Sequence, residues 1–131
     1  MPRDPRALLA DVLDAARSIE RFRQGLELDG FRTDDLVRAA VERKLEIAGE
    51  ALNRLSREDP ELAERIPDIA RVVGFRNVLA HGYDIVDDEV VWDAITTDLP
   101  ELAISVEALL AELDVQETRG GDGDVGAAGD P

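Results

Sequence analysis

The chain has 131 residues, no cysteine, a single histidine and a net charge of −15. That length sets one domain, the missing thiols exclude disulfides, zinc–thiolate sites and cysteine nucleophiles, and the acidity argues against an ordinary nucleic-acid binder, which is usually basic. The charge is segregated: residues 1–83 hold 16 acids and 14 bases, net −2, whereas residues 84–131 hold 14 acids and one base, net −13. An anionic substrate could approach the first part. The second would repel it, and serves as a solubilising surface or attracts a basic partner.

In chain order, Leu9, Val12, Leu13, Ala16, Ile19, Phe22 and Leu26 recur at three- and four-residue steps. They predict an amphipathic helix from Pro5 to about Leu26, with Pro5 in the first turn. Residues 29–35 read as a connector, with Thr33 as N-cap of a second helix from about Asp34 to Ser56. Its stripe is Val37, Val41, Lys44 or Leu45, Ala48, Leu52 and Leu55. Gly49 sits inside that helix at a cost of about 1 kcal/mol, which marks a close backbone approach or a tolerated surface position. Glu50 after it is either an i,i+4 partner of Arg54 or an acid that orients an arginine from elsewhere.

The segment 59-DPELAERIPD-68 predicts a short helical turn between two prolines. A third long helix follows from about Asp68 to His81, with Ile69, Val72, Val73 and Leu79 inward. A further helix begins near Asp87 and carries Val90, Val91, Ala94 and Ile95, with Trp92 nearby. Pro100 is expected to break or kink it. Thr97 or Asp98 would then cap a last helix to about Leu113, burying Leu102, Ala103, Val106, Leu109, Leu110 and Leu113. The tail 118-TRGGDGDVGAAGDP-131 has five glycines and no periodicity, so it is expected to be disordered. The expected architecture is all-α, an antiparallel four- to five-helix bundle over residues 1–115 followed by a Gly/Asp-rich tail, 116–131. No apolar run has the length of a membrane span, the N-terminus lacks a signal-peptide core, and the expected location is the cytoplasm.

Chemistry concentrates in 74-GFRNVLAHGYDIVDDEVVW-92, which contains the one His and the one Tyr of the chain. The His81 imidazole can take a proton from a ribose 2′-hydroxyl. The Arg76 guanidinium can grip a phosphate and stabilise charge that grows in the transition state. Asn77 can donate to phosphate or fix the imidazole tautomer, and Tyr83 can stack on a base. Helix geometry restricts the pair: five residues turn about 500°, so Arg76 and His81 diverge by roughly 140° and about 7.5 Å along the axis. Either the helix loosens before Gly82, or the site is built between two chains. Phosphodiester cleavage by transesterification wants a base and an acid, and a two-fold dimer supplies two imidazoles. On residue types alone, a plainer role as a C-capping His stays ahead of catalysis. One His with scattered acids lacks metal-ligand spacing, so neither a metal nor another cofactor is expected.

The arrangement around that stretch resembles the HEPN domains, whose motif is R-x4-6-H, and in particular the RNxLAHxY form of HepT-like toxin ribonucleases. The resemblance rests on 76-RNVLAH-81 with Gly82 and Tyr83, and on 46-EIAGEALNRL-55, similar to the family's IGEA helix with Glu50 at the acidic position. It continues in 66-IPDIARVVGFRN-77 and 84-DIVDDEVVWDAITTDLPEL-102, covering roughly residues 5–113. Asp68 and Ile69 stand where family members often have a Trp. The resemblance implies an all-helical homodimer with Arg76 and His81 as the catalytic pair across the dimer cleft, supported by Asn77 and Glu50. It implies RNA cleavage without a metal, and an antitoxin partner of the MntA-type nucleotidyltransferase class that transfers AMP to Tyr83. The alternative is a non-catalytic HEPN dimer that binds RNA, nucleotide or a partner protein. On either reading the Arg-bearing helices are expected to line the cleft, and the acidic ones to face solvent or the antitoxin.

Overall fold

A computed structural model describes residues 3–67, 69–80 and 87–129, and of residues 75–80 and 119–129 the backbone alone. Helix α1 (Pro5–Arg23) starts on Asp4, whose carboxylate accepts from the Arg6 amide, and Pro5 sits where a missing N–H costs nothing. It ends short of the expected Leu26 because the chain turns at Gly25, φ +80°, a left-handed conformation that glycine adopts without strain.

The expected connector is itself helical, α2 (Leu28–Thr33). Phe31 draws it onto the core, 1% exposed and 5.3 Å from the Trp92 ring. Thr33 is not a cap. Its hydroxyl donates back to the Asp29 carbonyl at 3.0 Å, and Asp34 caps α3 (Asp35–Glu58) by accepting from the Val37 amide at 3.0 Å. An ionised carboxylate at that position also meets the positive end of the helix dipole, which explains why Asp34 caps in preference to Thr33.

Along α3, Val41, Leu45, Ala48, Gly49, Leu52 and Leu55 are buried. The stripe therefore runs through Leu45, with Lys44 half-buried beside it. Asp59 caps the short α4 (Pro60–Ala63) by accepting from the Leu62 amide. Helix α5 (Ile69–Ala80) buries Val72 and half-buries Ile69 and Val73. Asp87 caps α6 (Asp88–Asp93).

Pro100 does not break the chain of helices. A π-helical turn, Ala94–Asp98, joins α6 directly to α7 (Leu99–Gly129), and the Leu99 amide donates to the Ala94 carbonyl. Proline has no N–H to continue the ladder, and the wider turn lets the axis run on. Thr96 points its hydroxyl back to the Trp92 carbonyl at 2.7 Å, and Asp98 pairs with Arg71 at 3.0 Å instead of capping a new helix.

End-to-end contacts fix the topology. The Arg3 amide reaches Glu58 at the far end of α3. Arg6 and Arg17 on α1 meet Asp114 and Glu107 on α7, in reversed order. Arg65 meets Glu112, and Arg71 meets Asp98. The long helices therefore alternate in direction in an all-α bundle whose single core draws on α1, α2, α3, α5, α6 and α7. Each Leu, Val or Ile sealed there is worth about 1.5–3 kcal/mol of apolar burial. Among the described residues there is no strand, and no helix is long and apolar enough to cross a membrane.

Candidate active site

Helix α5 carries Arg76 and Asn77 in its C-terminal half. Their side chains, and His81 and Tyr83 altogether, lie outside the described residues. The described part of the site is its frame: α3, which packs against α5, and α6, which begins at Asp88.

Arg38, Glu42, Glu46, Glu50, Arg54 and Glu58 stand at four-residue steps along α3. Three consecutive glutamates at that spacing repel one another by a few tenths of a kcal/mol per pair, so cations must offset them. Arg38 bonds Asp35 at 2.5 Å and Asp88 at 3.3 Å, which ties the start of α3 to the start of α6. Arg43 sits 3.3 Å from Glu46, and Arg54 lies 2.5 Å from Glu58. Glu42 is half-buried, and burial pushes its carboxyl above the ordinary glutamate value. Arg38 opposes that shift, and Asp88 and Glu46 add to it.

Glu50 is exposed. It lines an open groove of about 360 Å³ between the start of α1 and the outer side of α3, along with Arg3, Arg43, Arg54, Glu46 and Ile47. Three arginines beside three acids make this groove close to neutral in a chain of net −15. Exposed ion pairs of this kind are worth only about 0–1 kcal/mol each, so their guanidinium groups can be re-paired with phosphate at little cost. The groove escaped the reading of the sequence although its signal was present in the four-residue ladder. Arg71–Asp98 was missed as well. With Asp98 only 14% exposed, that pair anchors α5 to the π turn five residues before Arg76, and nothing in sequence spacing points from position 71 to position 98.

Comparison with known proteins places this frame. The family model for HepT-like ribonucleases matches residues 12–109, a span that contains Glu50, Arg76, Asn77, His81 and Tyr83. The chain is 32% identical over 107 residues to the protein named "Putative RNase MJ1380" of Methanocaldococcus jannaschii, covering 80% of this chain and 95% of that one. It is 33% identical over 111 residues to "Probable ribonuclease HepT" of Thermococcus cleftensis, covering 83% and 98%. It is 30% identical over 106 residues to "Putative RNase TTE0752" of Caldanaerobacter subterraneus, covering 81% and 94%. No solved structure matches the chain. With three quarters of its length inside the family model and near-complete coverage of several relatives, the chain belongs to the HepT-like ribonuclease family.

Proposed function

We propose that the protein is a metal-independent endoribonuclease whose centre is formed by Arg76 and His81 from two copies of the chain. The observation that carries this reading is the family match across residues 12–109 with 76-RNVLAHGY-83 intact inside it. One imidazole takes the 2′-hydroxyl proton as the 2′-oxygen attacks phosphorus. The P–O5′ bond breaks, and the second imidazole, protonated, gives its proton to the departing 5′-oxygen. The products are a 2′,3′-cyclic phosphate and a 5′-hydroxyl. The Arg76 guanidinium faces the phosphoryl oxygens as their charge grows, Asn77 holds phosphate or imidazole, and Glu50 on α3 is the acid that orients Arg76. The packed domain ends near residue 115, after the last inward residues Leu109 and Leu113; beyond it the backbone, expected to be a disordered tail, instead continues α7 as helix to Gly129.

The same reading makes the protein the toxin of a cytoplasmic toxin–antitoxin pair with a nucleotidyltransferase. The Tyr83 phenolic oxygen attacks the α-phosphate of ATP, pyrophosphate leaves, and the AMP-bearing tyrosine blocks the cleft. A non-catalytic RNA- or partner-binding dimer is the second reading, and the net charge of −15 favours its partner-binding form.

The test is cleavage of an end-labelled RNA by the purified chain in EDTA. Wild type should leave cyclic phosphate ends, and Arg76→Ala and His81→Ala should each lose at least about a hundredfold in rate, the usual weight of one acid–base or charge-stabilising group. No cleavage by wild type favours the second reading, and full cleavage by either variant overturns the assignment of that residue. Mass analysis after co-expression with a minimal nucleotidyltransferase should find one AMP on Tyr83.

A further inference from the structure

A second surface lies between α1 and α7. Two cavities of about 210 and 540 Å³ share Leu13 and Arg17, so they form one continuous groove. It follows the π turn and α7 from Ile95 to Asp114, roughly 28 Å at helical rise. Its floor is apolar, with Leu13, Ala16, Pro100, Ala103 and Leu110, and Ile104 stands at its lip 70% exposed. Its edges are acidic: Asp4, Asp14, Glu20, Glu107 and Asp114 against Arg6 and Arg17. Both arginines are already engaged. Arg17 faces Glu107 at 3.8 Å, and Arg6 is held by Asp4 at 2.7 Å, Asp114 at 4.0 Å and Glu117.

We propose that this acid-edged apolar groove docks a basic amphipathic helix of another protein. Two neighbouring antiparallel helices offer a third helix a surface for ridge-into-groove packing. An apolar floor with charged margins fits one apolar stripe flanked by Lys and Arg. The charge decides among occupants. A second copy would bring a chain of net −15 against an edge that is itself net −3, and RNA or an anionic lipid surface would be repelled in the same way. The inference does not rest on the ribonuclease reading, since the groove would take such a helix whether or not Arg76 and His81 cut RNA.

The experiment is fluorescence anisotropy of the full chain with a labelled amphipathic peptide of about three heptads, Leu on one face and Lys on the flanks. Its Glu-for-Lys counterpart is the comparison. The Lys peptide should bind with a micromolar Kd and the Glu peptide at least about tenfold more weakly. Ile104→Asp should weaken the Lys peptide about tenfold or more, and Glu107→Arg with Asp14→Arg should do the same. Leu36→Asp, at a site 80% exposed on the outside of α3, adds the same charge elsewhere and should leave binding unchanged. Failure of the Lys peptide to bind, equal binding by Ile104→Asp, or an equal loss in Leu36→Asp would overturn the proposal. RNA cleavage, measured on the same samples, should be unaffected by Ile104→Asp.

Discussion

Glu42 is the acid that α3 half-buries among Arg38, Glu46 and Asp88. Burial, Asp88 and Glu46 together raise its carboxyl above the 4.5 of a free glutamate, against Arg38. A raised acid binds its proton more tightly in the folded chain than in the unfolded one. Its ionised form therefore costs stability at pH 7, and the cost fades as pH falls through the folded pKa towards the unfolded value. Glu42→Gln should accordingly raise stability at pH 7 by about a few tenths of a kcal/mol, since the group is half-exposed, and with it the unfolding midpoint. The gain should close near pH 4.5, read by thermal melts across that range, and a lower midpoint at pH 7 would refute the assignment. Asp4, Glu58 and Glu112 have the opposite sign, each lowered chiefly by a hydrogen bond from Arg6, Arg54 or Arg65. Their support is present above the unfolded carboxylate value and is lost as pH falls. At this scale much of the sequence was readable, including the α3 stripe and the acidic caps. The choice of Asp34 over Thr33 was not, because two adjacent residues can both cap and only the helix's first turn decides.

At the scale of elements, periodicity located α1, α3, α5 and the path of α7, since each presents an apolar stripe at helical spacing. It failed where one residue does the work. Residues 28–33 have too few apolar positions to show a period, yet Phe31 is sealed against Trp92 and holds α2 to α6. Phe31→Ala should cost about 3–5 kcal/mol in chemical denaturation. A loss below about 1 kcal/mol would mean that α2 is a peripheral turn. Pro100 misled for a related reason. Proline forbids one hydrogen bond, but whether a chain then bends or widens by one residue depends on what the flanking helices must reach, here the core through Val91, Ile95, Leu99 and Leu102. The π turn keeps those four inward and turns Asp98 towards Arg71.

For the whole molecule, the imbalance between the near-neutral residues 1–83 and the acidic residues 84–131 is redistributed into two unlike surfaces. The Arg-bearing groove beside Glu50 lies between α1 and α3, and the acid-edged groove lies between α1 and α7. Sequence counts gave the segregation, but only packing shows that α1 contributes to both. The candidate site was legible through the family resemblance of the motif and its flanks, since on residue types alone a C-capping His stayed ahead of catalysis. Its completion by a second copy is the proposal: one His per chain, and Arg76 turned roughly 140° from position 81 on a regular helix, call for either a loosened helix end or a partner, and the partner is the reading put forward above. Subunit mixing tests that claim most directly. Wild type and His81→Ala are unfolded together, refolded at equal amounts so that protomers redistribute at random, and assayed for RNA cleavage against wild type at the same total concentration. If both imidazoles serve one centre, only wild-type pairs cut and the rate falls to about a quarter; a rate of about a half would show that each imidazole serves its own centre and would contradict the centre built on two.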